Sequence, residues 1–110
     1  MAATKGHVPS MVQAGVYSGV RHYLAAIKAE NSDDPKIVAA AMHEMPVNDM
    51  YNKDVKIRAD GRVLDDMYLV QVKKPSESKG GYDYYRVLTK FSGDEAFRPL
   101  SESECPLVKK

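Results

Sequence analysis

An α/β fold is predicted for this chain: a helical hairpin followed by three or so strands. Three observations carry that expectation. Apolar residues recur at helical spacing between Val12 and Ile27, and an Asn-Ser-Asp-Asp-Pro turn at 31–35 leads into a second helical stretch. Beyond Pro46 the period shortens to alternation and continuous apolar runs, as strands require. At 110 residues the chain supports one domain at most. The hairpin is expected over about 10–46, the strand-rich part over about 54–92 and an extended tail over 93–110.

The first helix has a defined start. Ser10 with Gln13 three residues later forms a capping box, in which each side chain satisfies an orphan amide of the first turn. At 100° per residue, Val12, Val16, Val20, Tyr23, Leu24 and Ile27 fall within about a third of the circumference. Gly15, Gly19 and Ala26 lie beside this stripe. Each interior glycine costs about 0.5–1 kcal/mol relative to alanine, so two on one edge predict another backbone packed close there. The Gly-xxx-Gly spacing is also that of membrane helix dimers, but Arg21, His22 and Lys28 exclude a spanning helix.

The second helix begins where Asp34 can cap and Pro35 suits the first helical position, its missing amide being unpaired there anyway. Ile37, Val38, Ala41, Met42 and Met45 form its apolar face, and the short linker makes an antiparallel hairpin.

Val55 and Ile57 then alternate with Lys56 and Arg58 before an Asp60-Gly61 turn, which reads as a first strand. Met67 to Val72 is a near-continuous apolar run that suits a strand covered on both faces. Residues 75–81 form a loop, and Tyr82 to Phe91 reads as a third strand. The polar tail from Ser92, with Phe97, Leu100, Leu107 and Val108 as anchors, is expected to wrap a surface.

Charge and composition exclude several functions. Sixteen basic and fifteen acidic side chains nearly cancel, so no long-range field favours nucleic acid or an anionic membrane. The Lys73-Lys74 and Lys109-Lys110 doublets read as solvated surface. Tyr82, Tyr84 and Tyr85 with Arg86 and Lys90 resemble a single-strand stacking platform but lack the basic surplus that such binders carry. The N-terminus, Met1 to His7, has no apolar core of a signal peptide.

Catalytic and metal chemistry find no constellation. His7 is placed in a terminus, His43 away from the apolar stripe, and His22 by the glycine edge with no nucleophile at a telling spacing. Asp65 and Asp66 are adjacent and point to opposite faces of a strand, which makes a poor dyad. Asp33-Asp34 is explained by capping, and the Asp60-Gly61 turn lacks a calcium-loop ligand series. Cys105, the lone cysteine, has no ligand company for zinc; it is either a free thiol or bonded to a partner outside this chain.

The order of segments resembles a known family. The helix opening Pro-Ser-Met-Val-Gln-Ala-Gly-Val-Tyr-Ser at 9–18, the Asp60-Gly61-Arg62 turn, the strand at 66–73 and the ending Phe97-Arg-Pro-Leu with Cys105-Pro-Leu-Val-Lys-Lys110 are similar to the C-terminal portion of ABC-transporter solute-binding proteins. The type is the branched-chain amino acid (leucine/isoleucine/valine) receptor, and the likeness runs from about Pro9 onward. It implies a partial lobe of a type I periplasmic-binding-protein fold whose helix stripes lack the parallel sheet that receives them. Self-association into a homo-oligomer, by exchange of helices or strands between copies, is therefore expected to cover them. Such receptors have two lobes that close on a small solute and then dock on a membrane permease, without chemistry and without a cofactor.

The resemblance places Met11, Val12 and Gln13 at the border of the cleft and gives Tyr17 a packing role. It implies a periplasmic parent and an amino-acid-like solute held there. High-affinity solute binding by this chain alone is not expected, since a cleft needs two walls. Cys105 in family terms meets an upstream cysteine that this chain lacks. The alternative reading is a stand-alone oligomeric interaction module without a transport role.

Overall fold

The computed structural model describes residues 6–108. Residues 1–5 of the terminus read for a signal peptide, and the Lys109-Lys110 doublet, lie outside the described residues. The order is α1 (Met11–Glu30), α2 (Pro35–Glu44), β1 (Met67–Val72), β2 (Tyr85–Phe91) and a short α3 (Gly93–Ala96), with single 3-10 turns at Pro75–Glu77 and Leu100–Glu102.

Both main helices start as the sequence dictates. Gln13 N–H donates to Ser10 Oγ at 3.3 Å, and Ser10 N–H donates to Gln13 Oε1 at 2.8 Å. At α2, Asp34 Oδ1 accepts from Lys36 N–H and Ile37 N–H, with Pro35 at the first position. Between the helices, Asn31 closes α1 in the left-handed conformation, φ +48°.

The hairpin core is small: Ala26, Val38 and Ala41, with Ile27, Met42 and Met45 packed against it. The face that α1 buries carries Ser18, His22 and Ala26 rather than the valine stripe. Small residues at 18 and 26 let the loop and α2 approach, and polar atoms brought inside find partners, as described below. Val12 remains 69% exposed, and Val16, Val20, Tyr23 and Leu24 are exposed with it; of the stripe, Ile27 alone reaches the core. The close backbone approach expected at Gly15 and Gly19 is not made, since a Cβ at either would meet nothing within 4 Å.

β1 and β2 pair antiparallel, with Met67 opposite Phe91 and Val72 opposite Tyr85, and the register shifts between Leu69 and Val70. Every residue of both strands is exposed, so the expected cover on the two faces of β1 is absent from the described residues. The alternating segment at 55–58 forms no strand. Val55 bridges Val47, and Ile57 bridges Val63 across the Asp60-Gly61 turn, where Gly61 takes φ +79°. At the other boundary Tyr82 takes φ +72° and belongs to the loop, so the last strand starts at Tyr85.

The start of the tail forms a helical turn, α3, where an extended run was expected, and of the expected anchors Leu107 is 76% exposed. Arg58 Nη1 donates to the Arg98 carbonyl at 2.8 Å, and the Arg62 guanidinium stacks 5.0 Å from the Phe97 ring centre. Cys105 is a half-buried free thiol. The radius of gyration is 17.4 Å, against about 13 Å for a compact domain of this length. The described chain is therefore open, with most of its apolar surface unburied.

Candidate functional site

The segment 47–55 sits against the middle of α1 because a polar network fastens it there. Val47 and Val55 exchange backbone hydrogen bonds of 2.7 and 3.2 Å, closing the loop at its base. Within the loop, Asp49 Oδ1 accepts from Tyr51 N–H at 3.0 Å and from Asn52 N–H at 2.9 Å, an Asx turn. Asn48 and Asp54 brace the same turn, Asn48 Nδ2 donating to Asp54 Oδ1 at 3.1 Å. Ser18 of α1 donates its hydroxyl to Asp49 Oδ2, and Asn52 Nδ2 donates to Ser18 Oγ at 3.1 Å. Ser18 and Asn52 are both buried, so this network satisfies groups that would be costly if unpaired.

Two recesses flank the N-terminal half of α1 and share Gly15, Tyr51, Asn52 and Asp65 in their walls. One, about 410 Å³, lies between the helices over Gly15 and Gly19, with His22, Met42 and His43 opposite. The other, about 760 Å³, opens between the start of α1 and β1, where Met11, Ala14, Val55, Met67 and Tyr68 give apolar walls. Lys53, Asp65, Asp66 and Lys90 add both signs of charge to it.

The carboxylates around these recesses differ in character. Burial works against the charge on Asp49, but the hydrogen bonds from Ser18, Tyr51 and Asn52 outweigh it and hold the group at about 2. Burial pushes Asp65 up, helped by the charges of Asp49 and Asp66, and its buried Oδ1 has no hydrogen-bond partner. Asp66 is held below the usual range by its bond to Lys90, Nζ to Oδ2 at 2.6 Å. Asp65 and Asp66 thus point apart, as adjacent residues should.

Of the three residues expected at a cleft, Met11 alone lines a recess, and it is 84% exposed. Val12 lies on the bare stripe, and Gln13 has its Oε1 engaged in the helix cap. The sequence singles out none of Ser18, Asp49 and Asn52, and it offers Asp65 only as half of a poor dyad with Asp66. The run Asn48, Asp49, Asn52, Asp54 between Pro46 and Val55 is the one cue that marks the loop in advance, being the composition of Asx turns.

The histidines are engaged separately. His22 Nε2 lies 2.9 Å from the Met42 carbonyl, His43 Nδ1 3.5 Å from the Ile57 carbonyl, and His7 Nδ1 2.9 Å from the Tyr82 hydroxyl. Ser18, the one buried hydroxyl among the described residues, donates to a carboxylate. Among the described residues no three His, Cys, Asp or Glu side chains cluster to hold a metal ion, and no helix is long and apolar enough to cross a membrane.

Comparison with known proteins places this arrangement. The family model described as periplasmic binding protein matches residues 1–81. The chain is similar to a crystal structure of a periplasmic binding protein from Burkholderia mallei, at 43% identity and a TM-score of 0.89 over 97% of its length. It is also similar to a branched chain amino acid ABC transporter periplasmic ligand-binding protein from Burkholderia xenovorans LB400, at 41% identity and a TM-score of 0.86 over 96%. In both cases it spans 28% of the length of the structure it matches. No curated protein sequence matches the chain.

Proposed function

This chain belongs to the periplasmic binding protein family, and from that membership we propose that it supplies one portion of a receptor for ABC-type uptake of amino acids or related small carboxylates. The observation that carries the reading is the match to the Burkholderia xenovorans ligand-binding protein over nearly the whole chain. The portion works by binding, in the periplasm, in a parent that delivers its solute to an ABC permease. Met11, Val12 and Gln13 border the solute cleft from the first turn of α1, with Met11 on the rim of the larger recess. Because the cap engages Gln13 Oε1, its amide nitrogen is the group left to donate.

A single wall holds a small solute poorly, since buried contact on several sides is what makes such sites bind. The isolated chain is therefore expected to show no melting shift with any amino acid. The deciding experiment replaces the matching segment of the Burkholderia xenovorans receptor with this chain and measures solute binding by calorimetry across an amino-acid panel. Saturable binding of a branched-chain amino acid is expected. A chimera that folds, by circular dichroism and a cooperative melt, yet binds no amino acid or small carboxylate overturns the proposal.

The exposed stripe on α1 favours one second reading, a stand-alone interaction module that works as an oligomer without a transport role. A folded but non-binding chimera is the result that would promote it.

A further inference from the structure

We propose that the outer edge of β1 pairs antiparallel with β1 of a second copy, about a twofold axis through Val70, setting Asp66 of each chain opposite Lys74 of the other. This holds whether or not the chain takes part in solute uptake.

The backbone fixes which groups face outward. Lys73 N–H donates to the Tyr84 carbonyl at 2.8 Å, so Lys73 is turned toward β2. Alternation along an antiparallel strand then turns Gln71 and Leu69 inward as well, and points the amides of Tyr68, Val70 and Val72 away from β2. Among the described residues the sheet has two strands, and neither α1 nor α2 packs extensively on them, so there these outward amides form an open edge.

The two edges of the ribbon are not alike. β2 carries Arg86 and Lys90, and the irregularity opposite Leu69–Val70 falls on its Leu88, features that discourage further pairing. β1 has no charge from Met67 to Val72. Charges stand just outside it instead, Asp65-Asp66 before and Lys73-Lys74 after.

That pattern is complementary to itself when reversed. A symmetric antiparallel pair must place one residue opposite its own copy, and the outward amides allow Val70 to be that residue. Tyr68 then lies opposite Val72 of the second copy, and Asp66 opposite Lys74. The side chains at 66, 68, 70, 72 and 74 share one face, so an apolar centre is closed at each end by charge. There Lys74 of the second copy joins the Asp66 carboxylate that Lys90 of its own chain already holds at 2.6 Å. Tyr68, Val70 and Val72 are 54%, 41% and 71% exposed, and Lys74 is exposed, so the face is open to a partner. Tyr85 and Val87 extend the same face across β2, where Lys90 stands opposite Tyr68, so joining two copies makes a four-stranded sheet with an apolar centre flanked by Lys90 of each chain.

The test is the mass of the full chain in solution, by light scattering and sedimentation over a wide concentration range, in reducing buffer so that Cys105 cannot crosslink. A concentration-dependent dimer is expected, and Val70→Lys, which sets two ammonium groups together at the axis, should weaken it by at least about tenfold. Asp66→Lys and Lys74→Asp should each weaken the dimer alone. Mixed in equal amounts they should restore it as a heterodimer, because the exchange makes both end pairs attractive again. That recovery also shows that neither variant has merely failed to fold. A monomer at every concentration overturns the proposal, as does a dimer indifferent to Val70→Lys, or charge variants that mixing does not rescue.

Discussion

Asn52 Nδ2 donates to Ser18 Oγ at 3.1 Å, joining a loop to a helix across 34 positions of sequence. Both residues are buried, and Asp49 accepts from each of them, at Oδ2 from Ser18 and at Oδ1 and Oδ2 from Asn52. The shared walls of the two recesses are set by this contact, because Asn52 and Tyr51 belong to the loop it holds.

Asn52→Ala should therefore lower stability by about 1–3 kcal/mol, the usual cost of leaving buried polar partners unmet. A melting curve that falls by several degrees is the expected outcome. An unchanged curve would mean that the loop is held by Val47 and Val55 alone.

Asp49 gives the network a pH dependence of known sign. Its pKa is lowered from 3.8 to about 2, so the folded state favours the carboxylate. The contribution is complete above the unfolded value and is lost as pH falls through the folded one. Stability should therefore decline between about pH 4 and pH 2, and Asp49→Asn should make that decline shallower in acid denaturation followed by circular dichroism. Asp60, Asp66, Asp83 and Glu95 are lowered too, so part of the slope persists in the variant.

Glycines at three positions predict opposite responses to alanine. At Gly15 and Gly19 a Cβ meets nothing within 4 Å, so either substitution should stabilise the chain by about 0.5–1 kcal/mol. At Gly93, which is buried, a Cβ would lie 2.3 Å from the Leu64 carbonyl oxygen, a backbone atom with little room to move. Gly93→Ala should cost about 2 kcal/mol or more. Chemical denaturation of the three variants checks both signs together.

The helix starts were legible because capping is local chemistry: Ser10 with Gln13, and Asp34 with Pro35, act within four residues. The apolar run at 67–72 was legible as a strand for the same reason of short range. Which side of α1 would be buried was not. Periodicity located the valine stripe correctly, but α2 and the 47–55 loop settle on Ser18, His22 and Ala26, where small side chains and the Asp49 network suit close approach. Alternation at Val55 and Ile57 gave way to two single bridges because the segment on each side is too short to extend a ladder. For the site, Met11 rims a recess while the shared wall is built by an Asx turn, whose partner on α1 no spacing rule supplies.

α1 packs on α2, and β1 on β2, while few contacts among the described residues join the helical pair to the strand pair. Each pairing links neighbours along the sequence, so its loop closure is short and its formation fast. The chain should consequently behave as two foldons, a helical one and a ribbon, whose amide protons exchange with solvent on separate schedules.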